Sequence, residues 1–73
     1  MKKVKVKQIL NRAKKKDLYV LISYEEKYGG TIYTMNPEDV ILEEKTVKLM
    51  DDCPKYIEDI PYQNIRWMKC YRK

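Results

Sequence analysis

Aromatic and cationic side chains are interleaved near the end of this 73-residue chain, as Tyr62, Arg66, Trp67, Lys69, Tyr71 and Arg72. That mixture suits a nucleic acid, whose phosphates take lysine and arginine and whose unpaired bases stack on aromatic rings. Two further tyrosines, Tyr28 and Tyr33, flank the only glycines, Gly29 and Gly30. The opening stretch supplies Arg12, Lys14 and Lys15. The expected binding set is therefore Arg12, Lys14, Lys15, Arg66, Lys69 and Arg72 on phosphates, with Tyr28, Tyr33 and Tyr62 stacking on or bonding to bases.

Other chemistry is poorly supplied. There is no histidine, so the side chain best suited to proton transfer near neutral pH is missing. The single serine, Ser23, has no base beside it in sequence. Cys53 and Cys70 stand seventeen apart with no Cys-x-x-Cys pair, which leaves too few ligands for zinc. The carboxylate pairs Glu25-Glu26, Glu43-Glu44 and Asp51-Asp52 fall at expected turns, where solvation and protection of strand edges account for them. The expectation is a protein that is not an enzyme and takes no metal and no cofactor.

Charge is unevenly distributed along the chain. Residues 1–16 carry eight Lys or Arg and no acid, whereas residues 17–73 carry eight basic and eleven acidic side chains, a net of −3. The last eight residues add Arg66, Lys69, Arg72 and Lys73, again without an acid. If the two ends meet, they form a positive face suited to a phosphate polymer, opposite a negative one. Lysine also solubilises Lys- and Glu-rich chains, so charge alone does not assign a ligand. No signal peptide and no apolar run of transmembrane length is visible, which points to a cytoplasmic chain with reduced thiols and no membrane partner.

The elements that must position these groups are short. Val6, Ile9, Leu10 and Ala13 recur at i, i+3, i+4 and i+7, one stripe of a helix over about 6–16, with Lys14, Lys15 and Lys16 offsetting its negative end. Leu18, Val20, Ile22 and Tyr24 alternate with Tyr19, Leu21 and Ser23, the pattern of a strand over 18–25. The glycine pair forms a turn and is the expected place for positive φ. Further strands are expected over 31–35, 40–43, 46–50, 56–60 and 65–71, with Asn36-Pro37 a turn. Pro61 ends one strand and opens a tight corner to the last.

In that last strand, alternation puts Ile65, Trp67, Lys69 and Tyr71 on one face and Arg66, Met68, Cys70 and Arg72 on the other. With Ile65 and Trp67 turned inward, Trp67 anchors the core and the arginines line the surface. One domain spanning 1–73 results, mainly β with one N-terminal helix: a small Sm- or SH3-like barrel, or else an open α+β sheet covered by the helix.

Three segments resemble the archaeal RNA cyclic-group end-recognition domain family. They are Leu10-Asn11-Arg12, Val20-Leu21-Ile22-Ser23-Tyr24 and Ile60-Pro61-Tyr62-Gln63-Asn64-Ile65. Gln63 and Asn64 stand where that family has His and Arg, and Glu25 and Glu26 where it has His-Arg and glycine. The resemblance thus implies the fold and RNA binding, with Gln63 and Asn64 bonding a phosphate or base as neutral groups. The run from Gly30 through Met35-Asn36 to Leu42-Glu43, followed by Ile60 to Ile65, is also similar to Sm-fold and YolD-like proteins.

The expected function is non-enzymatic binding of RNA, or of another single-stranded nucleic acid, through the two basic chain ends. The alternative is a protein–protein adapter or a viral or plasmid accessory protein. It would be an Sm-like or YolD-like homo-oligomer, or would pair another chain along strands near Val40 to Met50.

Overall fold

The computed structural model describes residues 1–26, 29–50 and 57–73, with residues 57 and 58 described by backbone alone. Helix α1, Lys3–Lys16, opens the chain. It begins three residues before the expected start, so Val4 and Lys5 also belong to the helix. Val6, Leu10 and Ala13 are its buried stripe. The helix ends at Asp17, which takes the left-handed conformation (φ 54°, ψ 57°) and returns its N–H to the carbonyl of Ala13. A residue of this kind at the C-terminus satisfies a carbonyl that would otherwise lack a partner.

Six strands follow: β1 Leu18–Glu26, β2 Gly29–Met35, β3 Val40–Leu42, β4 Thr46–Met50, β5 Ile57–Pro61 and β6 Ile65–Arg72. A single 3-10 turn, Pro37–Asp39, precedes β3, and another, Tyr62–Asn64, makes the corner between β5 and β6. Positive φ occurs at Gly29 (139°), as expected of the glycine pair, and at Asp17; the pair itself does not form the turn but opens β2, with Gly29 opposite Glu26 and Gly30 opposite Glu25. The polar stretch 51–55, with Cys53 and the Asp51-Asp52 pair, lies outside the described residues.

The strands form two antiparallel sheets, ordered β2-β1-β6 and β3-β4-β5. Among the described residues no ladder joins the two sheets, so the closed barrel is not formed and the open α+β arrangement fits. Helix α1 packs on β1, β6, β3 and the turn before β3. A shared core lies between these layers, built from the helix stripe, Val20, Ile22 and Tyr24 of β1, Ile65 and Met68 of β6, and Val40, Val47, Leu49 and Ile60 of the second sheet.

The pairing of β1 with β6 contains the one irregularity that matters for the surface. Tyr24 is opposite Ile65 and Ser23 is opposite Trp67, which leaves Arg66 as an extra residue. A bulge of this kind reverses the side to which all later side chains point. Ile65 and Met68 are accordingly both buried, and Trp67 faces away from them. The expectation that Ile65 and Trp67 share the inner face is therefore corrected: Trp67 is half-buried on the outer face of the sheet.

Leu10 is 2% exposed and Val6 fully buried. Leu10→Ala removes a fully packed side chain at a cost of about 2–5 kcal/mol, against a net stability of about 3–5 kcal/mol for a domain of this size without staples. Urea denaturation followed by circular dichroism is expected to show the variant largely unfolded or with a much lower midpoint.

Candidate nucleic-acid interface

Helix α1 and strand β6 lie side by side, tied at both ends and in the middle. The Met1 amino nitrogen donates to the carbonyls of Tyr62 (2.9 Å) and Ile65 (3.3 Å), just where β6 begins. The Cys70 thiol reaches the Ile9 carbonyl at 3.6 Å. At the far end the Lys73 ammonium donates to Asp17 at 2.6 Å. The basic start of the chain thus runs along its basic finish. This arrangement follows from sheet order, because β6 is an edge strand and the helix stripe packs beside it.

A shallow cleft follows this seam. One hollow, about 430 Å³, is lined by Ile9, Arg12, Lys16, Leu18, Met68, Lys69 and Cys70. A second, about 220 Å³, is lined by Lys5, Gln8, Ile9, Arg12 and Met68. The apolar floor is Met68, Ile9 and Cys70; the rim is Lys5, Arg12, Lys16 and Lys69, with no carboxylate among the lining residues. Lys5, Ile9, Arg12 and Lys16 recur at i, i+4, i+7 and i+11, so helical geometry sets them in one row. That row was legible in the sequence, where only the neighbouring apolar stripe was used.

Of the expected phosphate ligands, Arg12 and Lys69 meet in this cleft. Lys14 and Lys15 are exposed but do not line it, because they occupy other faces of the same helical turn. Arg66, held out by the bulge, pairs with Glu25 at 3.6 Å, and both side chains are well exposed. Arg72 is exposed at the end of β6, opposite Leu18.

The expected aromatic set is dispersed. Tyr28 lies outside the described residues. Tyr33 is 36% exposed at the rim of the core-facing side, and its ring is stacked on that of buried Tyr24 at 6.2 Å. Tyr62 is half-buried and its hydroxyl donates to the Glu43 carbonyl at 2.6 Å, bridging the corner to the second sheet. Gln63 is exposed and Asn64 half-buried beside it. Tyr62 and Gln63 border an open hollow of about 690 Å³ together with Met1, Lys2, Lys45, Thr46 and Pro61.

A different aromatic group was missed. On the outer face of the β2-β1-β6 sheet, Tyr19 is opposite Tyr71, Ser23 is opposite Trp67 and Ile32, and Leu21 is opposite Lys69 and Thr34. The Tyr19 and Tyr71 rings are 5.6 Å apart. The Lys69 ammonium lies 5.0 Å from the centre of the Trp67 ring, and that of Lys73 lies 5.6 Å from Tyr19. The Asp17 hydrogen bond chiefly raises the Lys73 pKa above its ordinary 10.5, so this group stays cationic. The alternation of Tyr19, Leu21 and Ser23 marked this face in sequence; the bulge that brings Trp67 and Tyr71 onto it did not.

Among the described residues no group of three His, Cys, Asp or Glu side chains is placed to hold a metal ion. None of the described helices is long and apolar enough to cross a membrane. Comparison of the chain with known protein families, curated proteins and solved structures gives no match.

Burial, and secondarily the charge of Glu43, holds the Tyr62 hydroxyl above its ordinary pKa of 10.0. A proton held more tightly in the folded state contributes stability that is complete below pH 10 and is lost as pH rises through the raised value. Tyr62→Phe removes the donor and costs about 0.5–1.5 kcal/mol at neutral pH. Denaturation midpoints measured across pH are expected to show the gap between the two proteins closing above pH 10.

Proposed function

We propose that the protein is a non-enzymatic module that binds RNA, or another single-stranded nucleic acid, with the phosphate backbone lying in the cleft between α1 and β6. The observation that carries this reading is the convergence of Arg12, Lys16 and Lys69 on one hollow, with Lys5 continuing the row. Four cations facing a groove without a carboxylate attract a phosphate chain from any direction and cost little to bring to it.

The placement of charge on the helix supports the same reading. The first turn of α1 contains no acid, and no side chain caps it, while Lys2, Lys3 and Lys5 sit where the helix dipole disfavours cations. Local stability is given up there for positive charge. The resemblance to RNA end-recognition proteins favours RNA over DNA. The helix followed by short strands and 3-10 corners supports reading the fold as an open relative of Sm- and SH3-like domains.

A second reading, a protein-binding or self-associating module, draws on β3. It is one of the two edges of the second sheet, and Ile41 on it is 44% exposed; another chain could add a strand there. Within the stretch Val40 to Met50 only β3 is an edge, since β4 is paired on both sides. Size-exclusion chromatography with and without nuclease separates the two readings. Co-purifying nucleic acid on a monomer supports the first, and a nucleic-acid-free oligomer the second.

Charge reversal tests the cleft directly. Arg12→Glu with Lys69→Glu is expected to weaken binding of a short RNA and to flatten its salt dependence by about 0.7 in log–log slope per lost contact. Arg66→Glu, at a residue already paired with Glu25, is expected to do less. Fluorescence polarisation over a salt series measures both, and an unchanged slope in the double variant would exclude the cleft.

A further inference from the structure

We infer that the outer face of the β2-β1-β6 sheet is a stacking platform for unpaired bases, continuous with the cleft that holds the backbone. The inference rests on the binding reading above and adds what the cleft alone does not specify, namely that the ligand must present free base faces.

A sheet with one solvated face normally carries polar side chains on it. Here the outward positions bear Tyr19, Leu21, Ile32, Trp67 and Tyr71, although Val20, Ile22 and Tyr24 already form the core on the inner side. Ile32 is 59% and Tyr71 41% exposed, while Ser23, between Ile32 and Trp67, is nearly covered. The outer face thus carries an aromatic and aliphatic patch among Ser23, Thr34 and Lys69, and none of the core residues lies on it among the described residues.

Charge selects the occupant. The one carboxylate at an outward position, Glu25, is paired with Arg66, and the cations Lys69 and Lys73 lie over the aromatic rings. Asp17 is likewise paired with Lys73, which leaves Lys69 as the cation on this face without a carboxylate partner among the ion pairs of the described residues. A second copy placed face to face would bring its Lys69 to a surface whose outward carboxylate is already engaged by Arg66. A flat ligand with negative charge at its margin meets no such mismatch. Unpaired bases on a phosphate chain have that character, and every base has a π-face to offer. Bases inside a duplex do not, because their faces are occupied.

Lys69 joins the two surfaces. It lines the cleft with Arg12 and Lys16, and its ammonium lies over Trp67. A strand whose phosphates follow the cleft has its bases within reach of the outer face at that point.

Trp67 is the only tryptophan, so it reports on the platform without labelling. The test titrates the intact protein at one ionic strength with a short oligouridylate and with an abasic ribose-phosphate chain of equal length. The expected result is Trp67 quenching by oligouridylate and roughly 5- to 100-fold tighter binding than to the abasic chain. Tyr71→Ala, at an exposed ring whose loss spares the core, is expected to weaken oligouridylate binding and narrow that gap. Equal, salt-dependent affinity for both chains without quenching overturns the platform and leaves the cleft standing. No binding of either chain overturns both. A concentration-dependent blue shift of Trp67 in the absence of RNA assigns the face to a second copy and overturns the platform.

Discussion

The pairing of β6 with β1, interrupted by one extra residue at Arg66, determines what each side of the molecule presents. Before the bulge Ile65 points into the core; after it Met68 does, and Trp67, Lys69 and Tyr71 turn outward. β1 can impose this register because it is paired on both sides and its inner residues Val20 and Ile22 are fully buried. A slip of one position would carry those residues into water, and the hydrophobic cost of that fixes the alignment. The cleft beside α1 and the aromatic surface beyond it are both consequences of the same ladder.

Charge follows the same division. The first sheet and the helix collect most of the cations, whereas Glu43 and Asp59 lie on the side of the second sheet, where Lys48 is 3.9 Å from Glu43 and opposite Asp59. The ion pairs on the first sheet, Arg66 with Glu25 and Lys73 with Asp17, sit at its margins. Exposed pairs of this sort contribute little to stability. Their effect is to remove acids from the surroundings of the basic seam.

Much of the architecture was legible in the sequence because it follows from periodicity. The helix stripe Val6, Leu10, Ala13 and the alternation along 18–25 place those elements within three residues, and Pro61 with Asn64 frames the corner into β6. Barrel closure was not legible, since it depends on whether strands far apart in sequence meet edge to edge. The face of Trp67 was misplaced for a local reason: strict alternation cannot reveal a bulge at a residue such as Arg66, whose side chain is at home on either side. The site was half legible. Arg12 and Lys69 were named; Lys5 and Lys16 share the helical row of Arg12, but that this row is the one beside β6 follows only from the packing of the helix, and Tyr62 is occupied by the Glu43 carbonyl.

The ties along the seam join residues far apart in the chain: Met1 with Ile65, Ile9 with Cys70, Asp17 with Lys73. Closing such separations has an entropic cost before any contact rewards it, and β6 follows every other strand. Hairpins such as β1–β2 and β3–β4 need only local closure and can assemble first. The groove exists only where these long-range contacts are made: an incompletely folded chain carries the same lysines but holds them on no common wall. Any grip on a phosphate chain that needs this shape is thereby confined to molecules that have finished folding.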